Sequence, residues 1–502
     1  MKKLTYIWLN ADKILIALLA ATFTLNIRKV FLTQYSFLNG TFNEYLTISL
    51  SWADILIISI IFIYTINITY KQVCHAFEKY NLYNNTKHYL SIFSRLPISR
   101  ETILFALLLL WIGLSIIWSP YKSIAIYRSI IFLELFTFSF IAIKLLNDKN
   151  MLGISLLLIV FNGLFQSLLG IAQFIHNGSL GFQFIGESVI GPNADGVAKI
   201  LINGEKYVRA YGTLPHPNIL AGFLLFPIFV LISGITTTLK NKSNPKSSVP
   251  RETVFKNISL AWLVIFLIII LIGFFLAFSR SALIGLILGL LIFLFFNKNL
   301  LLGFRSGKKS KVSFILLFVL IFTILFYLIS KTSLLSNQSI KERVFYQNVS
   351  YETISNHPVT GIGIGQFVFF EFFQNPSIPG WQYQPVHNIA LLISSELGMV
   401  GLILFLFLSF ILISYPVIKK KQEKGEELTY IPFYCIMISY FIIACFDHYF
   451  WDIKIGMIIF SFAVIFFTLS SKKKLKTSLY SYQIKEHNCT QKEDSTNFLY
   501  AL

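Results

Sequence analysis

Apolar stretches long enough to cross a lipid bilayer recur from one end of this chain to the other. A chain built that way must satisfy its lipid-exposed peptide groups internally, so it folds as helices or as a closed barrel. At about 1.5 Å per residue, about 20 residues cover about 30 Å of hydrocarbon, and runs of that length specify helices. Such cores fall near 14–32, 51–69, 102–118, 124–143, 152–175, 218–237, 258–279, 281–297, 313–330, 388–415, 428–446 and 454–470. The expected fold class is therefore an all-α polytopic membrane protein of about 12 spans, in one domain over residues 1–470. Asp12, Lys13, Arg28 and Lys29 crowd the first core, which leaves an uncleaved start or an interfacial helix open there. With 55% hydrophobic and 13% charged residues, the composition excludes a water-soluble globule.

The formal net charge of +19 could suggest a nucleic-acid partner, but the positions of the cations argue for a membrane orientation instead. Residues 1–13, 70–101, 144–150, 238–257, 297–312, 415–427 and 471–502 carry about 30 of the 42 lysines and arginines. These stretches occupy every second loop, which marks them as cytoplasmic, places both termini inside and requires an even number of spans. The tail 471–502 reads as a basic, polar and disordered extension. Cys74 and Cys489 fall on the inner side, and Cys435 and Cys445 share one span. No disulfide framework and no metal-ligand spacing emerges, so structural zinc and redox chemistry are not expected.

Two long segments, 176–217 and 331–386, leave the membrane on the outer side, where most turns are short, and loops of that length are usually functional. In the first, KILINGEKYVRAYG reads as a β-hairpin turning at Asn203-Gly204, with Arg209 at the end of its second strand. Pro215 and Pro217 then break regular structure, so Arg209, His216 and Asn218 are delivered to the outer surface. The second segment opens with a surface helix, SIKERVFYQNVSYETISN, carrying Arg343 and ended by Pro358. The glycine-rich turn GIGIGQF and a polar, aromatic stretch then lead to His387. Arg280 stands at the tip of the tight hairpin between the seventh and eighth spans, near helix-terminal amides that attract anions.

Three arginines thus lie on the side where the orientation rule places fewest cations. Snorkelling or local ion pairs would explain any one of them. Together they suit planar, multi-donor recognition of phosphate oxygens, and the implied ligand is an anionic lipid headgroup such as a diphosphate. His387 begins the run HNIALLISSELGMVG. At about 100° per residue, Gly398 and Gly401 return to within roughly 40° of its azimuth, with Ala390 and Ser394 close by. That spacing predicts a small-residue stripe against which a neighbouring helix clamps the histidine-bearing end. Imidazole titrates near working pH and suits a general base; a helix-terminal cap is the alternative role.

On these residues the chain resembles the O-antigen ligase and O-antigen polymerase family. His387, Asn388, Gly398 and Gly401 fit its H-[NSQ]-x9-GxxG pattern. RAYGTLPHPNILAGF, AFSRSALIGLILG and RVFYQNVSYETISNHPVTGIGIGQF resemble three further family segments over about 200–402, and the later DHYFWD is similar to a fourth. The resemblance implies a GT-C-like, inverting membrane glycosyltransferase of the bacterial inner membrane, active on the outer face. It implies a polyprenyl-diphosphate-linked glycan as donor, a glycan, lipid or protein as acceptor, and no metal or cofactor. His387 would be the catalytic base, and Arg209, Arg280 and Arg343 would hold the diphosphate. His216, Asn218, Asn388, Gly398 and Gly401 would support them, with His448 a rival base. Ligase, polymerase and protein-glycosylating members share these motifs. A lipid-linked glycan flippase or secondary transporter is the more distant alternative; ionisable or broken helices at the bilayer midplane and repeated halves would mark one, and neither stands out in this sequence.

Overall fold

The computed structural model describes residues 10–82, 100–243, 258–296, 337–420 and 430–472. The ninth expected span at 313–330 and the tail beyond Lys472, with Cys489, lie outside the described residues. The others match the hydropathy reading closely. They are α1 (Ala11–Thr22), α2 (Trp52–Leu82), α3 (Arg100–Ser115), α4 (Lys122–Leu145), α5 (Lys149–His176), α6 (Pro217–Ser243), α7 (Leu260–Leu276), α8 (Arg280–Phe296), α11 (Ile389–Lys420), α12 (Ile431–Ala444) and α14 (Lys454–Lys472). Between them in the chain lie α9 (Asn337–Asn356), α10 (Phe367–Gln374) and the single turn α13 (Tyr449–Asp452). Stretches of α2, α4, α5, α6 and α11 are long and apolar enough to cross a bilayer, and α3, α7, α8, α12 and α14 are shorter apolar helices.

The first span departs from expectation. α1 stops at Thr22, and Arg28–Phe31 instead forms a strand paired antiparallel with Ile48–Ser51. The cause is polar: Thr24 donates to Asn162 Oδ1 on α5, fixing the chain end where a longer helix would have carried Arg28 and Lys29 into lipid. Arg28 pairs with Glu44 at 3.1 Å instead.

α6 is the axis of the bundle, with Phe223, Phe226 and Phe229 buried among α5, α7, α12 and α14. Its internal Pro227 is matched by Gly163 on α5, where an added Cβ would meet the proline ring at 2.7 Å. α5 also carries a buried polar ladder. Gln166 donates to Thr24 and Thr213, and Gln173 donates to the Gly212 carbonyl while its Oε1 accepts from the Gly212 and Tyr211 amides. This ladder fixes the chain that leads from the hairpin into α6.

The hairpin itself forms as its sequence dictates. Lys199–Ile202 pairs with Glu205–Val208, and Asn203 and Gly204 take φ of 52° and 89°, the left-handed pair that matches strand twist.

The small-residue stripe does not form. α11 is interrupted at Gly398 (φ 65°, ψ −170°), so azimuths counted across it have no common axis. The carbonyls of Ser395, Glu396 and Leu397 lose their helical partners there. Ile362 N–H, Gly363 N–H and the Trp111 indole take them up at 3.0, 2.8 and 2.9 Å, and Met399 N–H donates to the Pro358 carbonyl. A broken helix is tolerated at membrane depth when its freed groups are satisfied by packed protein, as here. Gly398 lets the 358–363 turn approach, since a Cβ would strike the Val359 carbonyl. Gly401 makes room for Leu397 of its own helix rather than for a neighbouring one.

Candidate functional site

The loops at one end of the bundle converge, and every residue singled out for chemistry lies among them. His387 precedes α11 rather than belonging to it. Asn388 caps the helix, its Oδ1 accepting from Leu391 N–H at 3.0 Å and its amide donating to the Cys445 carbonyl at 3.1 Å. That capped start holds the half-buried His387 ring stacked on Tyr346 of α9 (5.7 Å, 10°) and edge-to-face with His448 (4.9 Å, 86°).

His387 Nδ1 is buried and has no hydrogen-bond partner. A buried unsatisfied nitrogen costs about 1–3 kcal/mol, and nothing within the protein fixes the tautomer at that atom. Burial depresses this imidazole to a pKa of about 3, and the charges of His448 and Arg343 act in the same direction against Asp447. It is therefore neutral across the physiological range but a weaker base than a free imidazole, which departs from the expectation that it titrates near working pH.

Arg209 reaches the same place from the hairpin. Its Nε donates to the Ala277 carbonyl at 2.7 Å, and one guanidinium nitrogen donates to Asn218 Oδ1 at 2.7 Å. Ala277 belongs to the tight α7–α8 turn, in which Phe278 takes φ of 48° and Arg280 opens α8. The expected placement of Arg280 at that tip therefore holds, and its side chain is exposed. Arg343, on α9, approaches the Phe446 carbonyl at 3.4 Å. Burial lowers Arg209 to about 10, and the charges of Arg280 and Arg343 act on it in the same direction.

The connection that sequence reasoning missed runs through Asn218 to the DHYFWD segment. Asn218 Nδ2 donates to Asp447 Oδ2 at 2.7 Å, so one amide bridges Arg209 and a carboxylate. Burial raises Asp447, but the His448, His387 and His216 imidazoles and the Asn218 amide hold it below the usual carboxylate range. His448 Nδ1 lies 2.8 Å from Asp452 Oδ1, an i,i+4 pair whose spacing was visible in the sequence. His216 turns inward, its Nδ1 accepting from Asn218 N–H at 3.1 Å, and burial beside Arg209 lowers it to about 4. It shapes the Asn218 turn. Replacing Asn218 by leucine should leave the Arg209 and Asp447 groups without their shared partner. We expect a loss of about 2–3 kcal/mol of stability, read as a lowered melting temperature in detergent; an unchanged Tm would show that the bridge contributes nothing.

Immediately below this end lies a cavity of about 220 Å³ between α3, α4, α11, α12 and α14. Its walls are apolar, with Phe105, Phe132, Phe405 and Trp451 among them, and it begins at Ile389, two residues beyond His387. Among the described residues no group of three or more His, Cys, Asp or Glu side chains is arranged to hold a metal ion.

Residues 265–406 match the family model described as O-Antigen ligase. No curated protein matches the chain. The matched stretch contains Arg280, Arg343, His387, Asn388, Gly398 and Gly401, whereas Arg209, Asn218 and the Asp447–Asp452 segment lie outside it, Arg209 reaching it at the Ala277 carbonyl and His448 at the His387 ring.

Proposed function

We propose, for a membrane protein carrying an O-antigen ligase domain, that it is an inverting glycosyltransferase that moves a glycan from a polyprenyl-diphosphate carrier to an acceptor hydroxyl. The observation that supports this reading is a half-buried imidazole, His387, on which the charge of the Arg343 guanidinium acts, as it does on Arg209 and Arg280. The acceptor hydroxyl gives its proton to His387 as its oxygen bonds the anomeric carbon. The bond from that carbon to the carrier diphosphate breaks on the opposite face, inverting the centre. Arg209, Arg280 and Arg343 receive the departing diphosphate, where fixed positive charge is worth most. No nucleotide is needed, because the leaving group is already activated.

The apolar cavity that starts at Ile389 suits the isoprenoid part of such a carrier, since its headgroup end would sit at the arginines. By the cation bias, both termini face the cytoplasm and the site lies on the outer face of the bacterial inner membrane. Residues 1–470 form the membrane domain, and 471–502 a basic cytoplasmic tail.

The test uses the purified chain in detergent with lipid-linked glycan and acceptor. A transferase releases polyprenyl diphosphate and forms product without a sealed membrane. Absence of product there, with translocation in proteoliposomes, would replace this reading by a flippase. Glycans from a deletion strain separate the acceptors: missing attachment points to a lipid acceptor, shortened chains to a growing glycan, and loss of glycoprotein to protein.

A further inference from the structure

Beside His387 stands a second imidazole that the transfer step above does not use. His448 is buried, with its ring edge-to-face against that of His387 at 4.9 Å. Asp452 Oδ1 lies 2.8 Å from its Nδ1, and Asp447 Oδ1 accepts from its backbone N–H at 2.9 Å, so carboxylates flank it on both sides. The clamp is itself anchored, since Arg128 on α4 donates to the Asp452 backbone carbonyl. A carboxylate on Nδ1 keeps the proton on that nitrogen whether the ring is neutral or charged.

We propose that His448, clamped by Asp452, is a positioning residue for His387: its imidazolium stands against the ring of the base and keeps that ring in the proton-accepting form. This rests on the reading of His387 as the base. Burial alone would depress His448, but Asp452 and Asp447 lift it above the ordinary histidine value. For His387, the His448 charge is the largest influence after burial. The other groups facing the pair are Arg128 and the Tyr45 ring toward His448, and Asp447, Arg343, His216 and the Tyr346 ring toward His387. Asp447 opposes the effect. Arg343 and His216 reinforce it.

The experiment is the pH profile of kcat/KM for the full chain in detergent, comparing wild type with His448→Gln and His448→Lys. Removing the imidazolium leaves the Asp447 carboxylate acting on His387 with one opposing charge fewer, so the acid limb of His448→Gln should move up by about one pH unit or more. His448→Lys restores the charge and should return the limb toward wild type. A limb that stays in place while the rate falls equally at every pH would reduce His448 to a wall of the site. So would a lysine variant whose limb follows glutamine. If the His448 variants do not fold, histidine-labelled wild type is titrated by NMR, with the His387 signal assigned from His387→Ala. His448 should protonate first and His387 only at much lower pH; joint titration near 6.5, or the reverse order, overturns the proposal. Failure of the underlying reading shows separately, as turnover retained by His387→Ala.

Discussion

His387→Ala is expected to reduce glycan transfer by about 10²–10⁴ while the protein still inserts and purifies, the range that loss of a general base produces. The substitution removes a ring that makes no hydrogen bond at Nδ1 and touches the protein through the Tyr346 and His448 rings, so folding should tolerate it. KM for the lipid-linked donor should change little, because the arginines belong to other segments. The pH dependence follows from the same site. The base form is the active one, and a folded-state pKa of about 3 means that protonation removes it only far below the ordinary histidine value of about 6.5. Wild-type kcat/KM should therefore hold steady as pH falls through 6.5 and decline only in the strongly acid range. Full turnover by a purified His387→Ala protein would end the base assignment.

Gly398→Val should be the most damaging single change to the fold. At φ 65° and ψ −170° the backbone occupies a region open essentially to glycine alone, which costs other residues about 1–3 kcal/mol. The added side chain would also strike the Val359 carbonyl and displace the turn that satisfies the broken helix. Together these amount to about 2–6 kcal/mol, allowing roughly 1–3 for the overpacking. The expected result is a large drop in melting temperature in detergent and little monodisperse protein. Gly113→Ala is the control: nothing lies within 4 Å of its added Cβ, so no loss should follow. Equal Tm values for wild type and Gly398→Val would refute the account of the kink.

Seen this way, the HNIALLISSELGMVG segment divides into what a local pattern can and cannot carry. Its hydropathy correctly announced a long helix, but the helix-terminal cap considered for His387 is formed by Asn388 instead. The periodicity argument for Gly398 and Gly401 failed because it assumed an unbroken helix. The break is made possible by the 358–363 turn and Trp111, which supply hydrogen-bond partners from elsewhere in the chain. The first span failed for a similar reason. Thr24 engages Asn162 on α5, and no window around Thr24 contains that partner.

The candidate site shows the same division. Arg209, Arg280, Arg343 and His387 stood out singly, as cations on the unexpected side and as an imidazole in a motif. Asp447 and Asp452 stood out only as carboxylates beside His448 in the DHYFWD segment, because a carboxylate gains its meaning from what it faces. Asn218 joins Arg209 to Asp447, and Asp452 holds the second imidazole against the first.

By itself the sequence determined the membrane class, nearly all of the helix positions that the structure describes, and the Asn203-Gly204 hairpin. Hydropathy and turn chemistry act over a few residues and so can be read there. Only the tertiary structure decided that α11 bends at Gly398 and that α9 and the DHYFWD segment pack their rings on His387. Those outcomes depend on hydrogen bonds and ring contacts between residues far apart in the chain, which no local pattern encodes.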